Sequence, residues 1–302
     1  MPGAAEVLDQ RQLENSHVFT VNEALRKVAG VHARDKEGFG LRPNIGVRGL
    51  NPTRSTKITL LEEGIPLAYA PYGDNASYYH PMVDRYERIK VLKGAGSLLF
   101  GPQTVGGVVN YITPAPRQDF GGYAQFAAGS RDYVNGKINV GKGLLLDYAY
   151  KAGEGARDNM DQALKDLNLK YIMGIGASQA LTLRANYYEE DSTITYSGLT
   201  QAEFERLGAR YNPFKNDKFD AKRTGLSATH EADLGKGSNL VTNVYYAQFD
   251  RDWWRRASNS QDSQCGAAFN AARLAGTAVA PDACNSVQGR LLSYENWASS
   301  RA

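Results

Sequence analysis

The residues that could carry chemistry in this 302-residue chain are few and dispersed. The glycine-rich stretch from Gly94 to Gly101 could cradle a phosphate, because glycines let the backbone approach an anion closely. A dinucleotide-binding loop, however, opens a helix directly after a strand, and Pro102 with Gly106 and Gly107 would interrupt such a helix. Tight turns are therefore the favoured interpretation of this stretch.

Catalytic and metal-binding patterns are not indicated either. The four histidines are scattered through the chain without the spacing of metal ligands, and the two cysteines, Cys265 and Cys284, form no Cys-x-x-Cys pair. No nucleophile, base and orienting group lie close together in sequence order. The sequence therefore predicts neither an enzyme nor a protein that binds a metal directly through its side chains.

Composition and charge limit the classes of partner and of membrane segment that this chain can have. A net charge of +3, from 35 basic and 32 acidic residues, offers no concentrated basic surface for nucleic acid, so none is expected as a partner. No run approaches the roughly 20 consecutive apolar residues of a membrane-spanning helix, and the first residues lack the pattern of a signal peptide. Membrane strands remain compatible with this composition, because they alternate lipid-facing and lumen-facing residues. The 18 tyrosines would suit interfacial aromatic girdles.

The first 115 residues have the pattern of a small α+β domain with mixed strands. Thr20 and Glu23 predict a capping box, followed by one short helix that ends near Gly30. Glu63 and Gly64 are placed for a hairpin turn between strands. The β-prone runs are 57–61, 65–69, 87–92 and 107–113.

Charged residues in this first part allow two interpretations. Arg48 and Arg88, with Glu62, Glu63 and Glu87, are expected to form ordinary ion pairs. A domain that moves would use the same polar groups as contacts against the surface that surrounds it. Both interpretations stay open, with structural ion pairs favoured.

After residue 120 the pattern changes to strands with one apolar and one polar face. Leu144, Leu146, Tyr148 and Tyr150 share one parity, and similar runs follow at 167–175 and 181–187. Such runs fit strands of about 9 to 11 residues that cross a bilayer with the apolar face outward. A soluble β-sandwich is the alternative.

Connection lengths favour the membrane barrel over the sandwich. Tight turns at 141–143, 178–179 and 235–237 alternate with long connections at 152–165, 192–217 and 256–290. Short turns on one side and long loops on the other are typical of outer-membrane barrels. About eight strands are expected from about Tyr123 onward. A closed barrel of eight is filled by its own side chains and could not contain a folded domain.

Three blocks in the first part resemble the plug domain of TonB-dependent outer-membrane receptors: Asn44 to Leu50, Glu62 to Leu67, and Glu87 to Thr113. The resemblance implies a plug domain at residues 1–118 and, at 119–302, the first strands of a large transmembrane β-barrel. Because barrels of that family have many more strands, the chain is expected to be a fragment truncated at both ends. It would lack the signal peptide, the TonB box and the later strands.

Within that family, the chain is most similar to ferric citrate receptors. The shared motifs are Pro43 to Pro52, Gly64 to Pro66, Ala70 to Gly73, Gly101 to Asn110 and, in an outer loop, Gly153 to Asp161. The resemblance implies an anionic ferric chelate held by the plug apex and by loop arginines, whose planar fork binds carboxylates. The implied ligand residues are Tyr72 and Gln103 at the apex and Arg251, Arg255 and Arg256 in the loop.

The resemblance also implies the partners. Iron would enter as a siderophore chelate with no cofactor bound directly by the protein, the TonB-ExbB-ExbD complex would supply energy, and outer-membrane lipid would surround the strands. In that oxidising setting, Cys265 and Cys284 would form a disulfide. Glu63 stands where such plugs usually have Asp, and 74–80 differs from citrate receptors, so another carboxylate or hydroxamate siderophore stays open. A non-transporting binding fragment is the second hypothesis, and Trp253 and Trp254 could equally form an aromatic girdle.

Overall fold

The computed structural model describes residues 4–68, 78–94, 100, 105–195, 198–215, 217–254, 266–277 and 291–301. Two sheets dominate it. One is five-stranded and mixed, and the other is eight-stranded and antiparallel. The strands of the first sheet, in spatial order, are β1 (Ala4–Leu8), β6 (Arg88–Lys93), β7 (Gly107–Ile112), β4 (Ile58–Glu62) and β5 (Ile65–Pro66).

The first sheet is mixed, as expected, since β4 and β7 pair in parallel while β6 pairs antiparallel with β7. A separate hairpin joins β2 (Val31–Asp35) to β3 (Pro43–Val47). Two short helices, α1 (Gln10–Asn15) and α2 (Val21–Leu25), precede it. Two 3₁₀ turns, Thr53–Ser55 and Val83–Arg85, join the strands. We call residues 4–112 with these elements the plug.

The predicted helix and turn are confirmed, with one difference at the helix cap. The Thr20 hydroxyl caps α2 by accepting from Glu23 N at 3.3 Å, but Glu23 reaches back to the backbone N of Phe19 at 2.6 Å and not to that of Thr20. Glu63 and Gly64 both have positive φ, 53° and 79°, as the tight β4–β5 turn requires.

The eight-stranded sheet begins at Gly121 and confirms the expected number of strands. Each strand pairs antiparallel with the next along the chain, so the sheet is a meander. Its members are β8 (Gly121–Ala128), β9 (Val134–Lys142), β10 (Leu144–Glu154), β11 (Asp161–Ile175), β12 (Gln179–Ser192), β13 (Lys218–Gly235), β14 (Ser238–Trp254) and β15 (Leu291–Arg301).

Several strands are longer than a bilayer requires. β13 has 18 residues, about 60 Å at roughly 3.3 Å per residue, so part of it extends beyond the hydrocarbon layer. The connection expected at 152–165 is for the same reason mostly strand: β10 and β11 remain paired up to Glu154 and Asp161. The connection at 193–217 is long, as expected, and contains α3 (Gln201–Leu207). A further helix, α4 (Gly266–Leu274), lies between β14 and β15.

The sheet has reversed hydropathy compared with a water-soluble sheet. Leu144 and Leu146 of β10 are exposed on one face, whereas Asp147 and Lys151 of the same strand are buried on the other. This pattern confirms the predicted parity, because apolar side chains favour lipid and polar ones face the plug. In the described residues, no helix combines the length and apolarity needed to span a membrane.

Candidate functional site

Charged side chains are concentrated where the plug meets the inner face of the eight-stranded sheet. We call this inner face the wall. Both surfaces contribute ions that are almost completely buried. Four of them form a connected group that we call the wall cluster: Glu62 and Arg85 from the plug, and Asp166 and Arg184 from the strands β11 and β12. Their side chains are all 5% exposed or less.

Arg85 is the centre of the wall cluster. Its Nε donates to Asp166 Oδ1 at 2.8 Å, and its Nη1 donates to Glu62 Oε2 at 3.0 Å and to the Tyr79 hydroxyl at 3.1 Å. On the other side of Glu62, Arg184 Nη2 donates to Oε1 at 2.5 Å. The Glu62 carboxylate therefore bridges an arginine of the plug and an arginine of the wall.

The surrounding charges keep Glu62 ionised. Burial alone would raise its pKa, but the guanidinium groups of Arg85, Arg184 and Arg223 outweigh burial and hold that pKa well below its usual range. Asp166 and Glu62 in turn hold the pKa of Arg85 well above its usual value despite its burial. Charges in a water-excluded interface interact strongly, so this contact is stable only while every partner stays in place.

A second contact lies beside the wall cluster at the β4–β5 turn. Glu63 Oε1 accepts from Lys170 Nζ of β11 at 2.8 Å and from the Thr113 hydroxyl and backbone N at 2.7 and 2.9 Å. Burial by itself would raise the pKa of Glu63, but the positive charges of Lys170 and Arg184 outweigh burial and hold that pKa below its usual value. Consecutive carboxylates of the plug thus bind cations on two neighbouring strands.

Two further ion pairs connect plug and wall. Asp84 binds Lys151 of β10 at 2.6 Å, and this lysine, with Asn135 and Lys137, outweighs burial to lower the pKa of Asp84. Arg42 binds Glu190 of β12 at 2.6 Å with both side chains nearly inaccessible. The plug is therefore held against the strands by ionic contacts on β10, β11 and β12.

Arg251 is the one predicted ligand residue that lies within the described ranges. It is on β14, 3% exposed, with its guanidinium carbon 3.4 Å from the ring centroid of Tyr78 and 5.1 Å from that of Trp253. Trp253 is 6% exposed and faces the plug, so it is not part of a lipid-facing girdle. Arg251 therefore contacts an aromatic residue, Tyr78, that follows the predicted apex residue Tyr72 by six positions. The other predicted residues, Tyr72, Gln103, Arg255, Arg256, Cys265 and Cys284, lie outside the described residues.

The outer connections are joined to one another. Arg273 of α4 binds both oxygens of Glu203 in α3 at 2.7 and 2.8 Å, and its guanidinium lies over Phe214 and Phe269. In the ranges that the structure describes, no three His, Cys, Asp or Glu side chains are arranged to hold a metal ion.

Sequence reasoning identified only part of this site. It predicted that Glu62 and Glu63 could contact a surrounding surface, and both do. It missed Arg85, Asp166 and Arg184 as their partners. The available signal was the polar parity of 166, 168 and 170 on one predicted strand and of 184 and 186 on the next, which marked an inner face without indicating its pairing. Of the predicted ion pairs, Arg88 with Glu87 is a surface contact at 2.6 Å.

Comparison with known proteins agrees with this architecture. Residues 1–108 match the family model of the TonB-dependent receptor plug domain. The vitamin B12 transporter BtuB of Vibrio vulnificus (strain CMCP6) is 23% identical over 247 residues, which cover 80% of this chain and 40% of that protein. The chain thus spans about two fifths of the length of this curated relative.

Solved structures have the same fold. The unliganded ferric citrate transporter FecA is 26% identical, with a TM-score of 0.73 over 86% of this chain and 42% of that one. The ferripyoverdine receptor of the outer membrane of Pseudomonas aeruginosa, bound to ferripyoverdine, is 19% identical, with a TM-score of 0.69 over 85% and 36%. The fold is therefore a TonB-dependent receptor plug followed by antiparallel strands of the receptor barrel. A protein of this fold resides in the cell outer membrane.

Proposed function

We propose that the protein is an outer-membrane receptor that takes up a ferric siderophore, with ferric citrate as the favoured ligand. The observation that carries this proposal is the likeness to the ferric citrate transporter over 86% of the chain. The shared outer-loop block from Gly153 to Asp161 supports the same ligand class. Iron is the cargo of the chelate in this scheme and is not coordinated by protein side chains.

The proposed division of labour follows the two sheets. Residues 1–118 act as the plug and residues 119–302 as the N-terminal part of the barrel, a boundary supported by the end of β7 at Ile112 and the start of β8 at Gly121. Tyr72 and Gln103 would contact the chelate from the plug, and Arg251, Arg255, Arg256 from the strands and loop. Cys265 and Cys284 would close that loop as a disulfide. The TonB-ExbB-ExbD complex would supply the force that rearranges the plug.

Uptake by cells tests the proposal. A strain without its own ferric citrate uptake should accumulate radioactive iron from ferric citrate when it expresses the full-length gene product, and not when TonB is deleted. Binding without accumulation would identify a non-transporting binding protein. Accumulation from a hydroxamate or another carboxylate siderophore only would move the assignment to that ligand class.

Vitamin B12 is the second candidate, because the V. vulnificus relative is named as its transporter. The two ligands need different binding residues, since the carboxylates of ferric citrate are bound by arginine or lysine side chains. Excess cobalamin should therefore leave ferric citrate uptake unchanged. Competition by cobalamin, together with cobalamin uptake, would favour the second candidate.

A further inference from the structure

Two cations stand directly opposite each other on the inner face of the wall. Lys170 of β11 and Arg184 of β12 are register partners, and each residue is 6% exposed. Like charges at opposite positions of an antiparallel pair repel, because their Cβ atoms are only about 5 Å apart. The pair therefore requires anionic partners.

The plug provides those partners as two consecutive carboxylates. Glu62 Oε1 binds Arg184 Nη2 at 2.5 Å, and Glu63 Oε1 binds Lys170 Nζ at 2.8 Å. Glu63 reaches this position from a left-handed backbone conformation with φ 53°, which is uncommon for a residue other than glycine. The remaining polar contacts are weaker: Arg184 Nη2 with Asn168 Oδ1 at 3.3 Å, and Lys170 Nζ with Thr113 Oγ1 and O at 3.3 and 3.4 Å.

Two buried donors beside the pair are unused. Among the described residues, Arg184 Nε and Asn168 Nδ2 have no hydrogen-bond acceptor. Buried donors are normally satisfied, so a site with spare donors next to two cations can accept more anionic oxygens than the plug supplies. The wall here carries the cations Lys170, Arg184 and Arg223 against the carboxylates Asp166 and Asp147, and Asp147 is itself paired with Lys137 at 3.8 Å. This part of the wall is therefore cationic without the plug.

We propose that Lys170 and Arg184 form a binding site for a dicarboxylate, and that Glu62 and Glu63 occupy this site as an internal substitute until the plug rearranges. When the plug carries its two carboxylates away, the carboxylates of a passing polycarboxylate chelate take their place. The wall site is then a second binding position for an anionic ligand, deeper in the receptor than its outer surface. This inference rests on the proposed transport function and assigns it a second site.

Chemical rescue tests the site without iron or transport. In the full-length receptor purified in detergent, Glu62→Gln with Glu63→Gln removes the internal carboxylates and leaves both cations. Malonate should raise the unfolding temperature of this variant in a concentration-dependent manner, since a ligand that binds only the folded state stabilises it. Acetate at equal ionic strength should give less than about a third of that shift, because it cannot bridge two cations. The wild type should not show the malonate-specific shift.

The matched variant adds Lys170→Gln and Arg184→Gln to the same background and should lose the rescue. If Glu62→Gln prevents folding, Glu63→Gln alone is titrated, because its side chain is 20% exposed and its loss frees Lys170 only. Malonate and acetate should then stabilise this single variant alike, and adding Lys170→Gln should abolish the effect; a stabilisation that survives Lys170→Gln would overturn the site. In the Glu62→Gln, Glu63→Gln variant, equal shifts with malonate and acetate, or a rescue that survives the loss of both cations, would overturn the site. Failure of iron uptake with intact malonate rescue would reject the proposed function and leave the site in place.

Discussion

Replacing Arg85 with Gln should loosen the plug by about 3 kcal/mol. The substitution removes the guanidinium that lies between Glu62 and Asp166, whose side chains are 5% and 3% exposed. Removing one partner of a buried pair costs roughly 3 to 5 kcal/mol, because the remaining charge stays buried. The lower value applies here, since Glu62 keeps its contact with Arg184.

Hydrogen exchange of plug amides measures this cost directly. A loss of about 3 kcal/mol corresponds to exchange that is roughly a hundredfold faster wherever exchange requires the plug to open. Peptides that contain β4 and β7 should report it, because these strands form the centre of the plug sheet. The assay uses the receptor in detergent at constant pH.

Arg88→Gln is the matched control. Arg88 lies three residues away in the same plug, and its ion pair with Glu87 is exposed, with 47% and 20% of the two side chains accessible. An exposed pair contributes about 1 kcal/mol or less, so exchange should change less than about tenfold. If the two variants exchange at equal rates, the wall cluster does not hold the plug and the argument from burial is wrong.

Three further predictions concern pH, ligand contact and the outer connections. Folding lowers the pKa of Glu62, Glu63 and Asp84, so their contribution to stability is complete above the ordinary carboxyl pKa and is lost as the pH falls through the lower folded values. Burial lowers the pKa of His80 to about 4, so the contribution of its neutral ring is lost as the pH falls from about 6.5 to about 4. The urea midpoint of the plug should thus fall on acidification, and a midpoint independent of pH would contradict these directions. Replacing Arg251 and Arg255 with Ala should weaken ferric citrate binding severalfold or more, as measured with radioactive ligand on whole cells, and unchanged affinity would remove both from the site. Arg273→Gln should speed proteolysis of the connections that carry α3 and α4, because it breaks the hydrogen bonds of Nη1 to both oxygens of the fully buried Glu203. Arg210→Gln, at an exposed pair with Asp158, is the control and should change the cleavage rate little. Equal cleavage of the two variants would show that Arg273 does not join the connections.

The sequence by itself determined the kinds of elements and their faces. Leu167 and Leu169 alternate with Asn168 and Lys170, and this period fixes which face meets lipid because successive strand side chains point to opposite sides. Gly64 determined the turn in the same local way, since glycine adopts positive φ without a steric penalty. The number of strands after residue 120 followed from the same alternation and from the turns between them.

Only the tertiary structure decided which charges meet. Glu62 and Arg184 are separated by 122 residues, and no local rule relates the register of β4 in the plug to that of β12 in the wall. The alternation predicted that Lys170 and Arg184 face inward, but their position opposite each other depends on the pairing of two long strands. Coulomb energy depends on distance and on burial, and both are properties of the assembled interface between plug and wall. For that reason the ionic site could be recognised as polar in the sequence and as a connected group only in three dimensions.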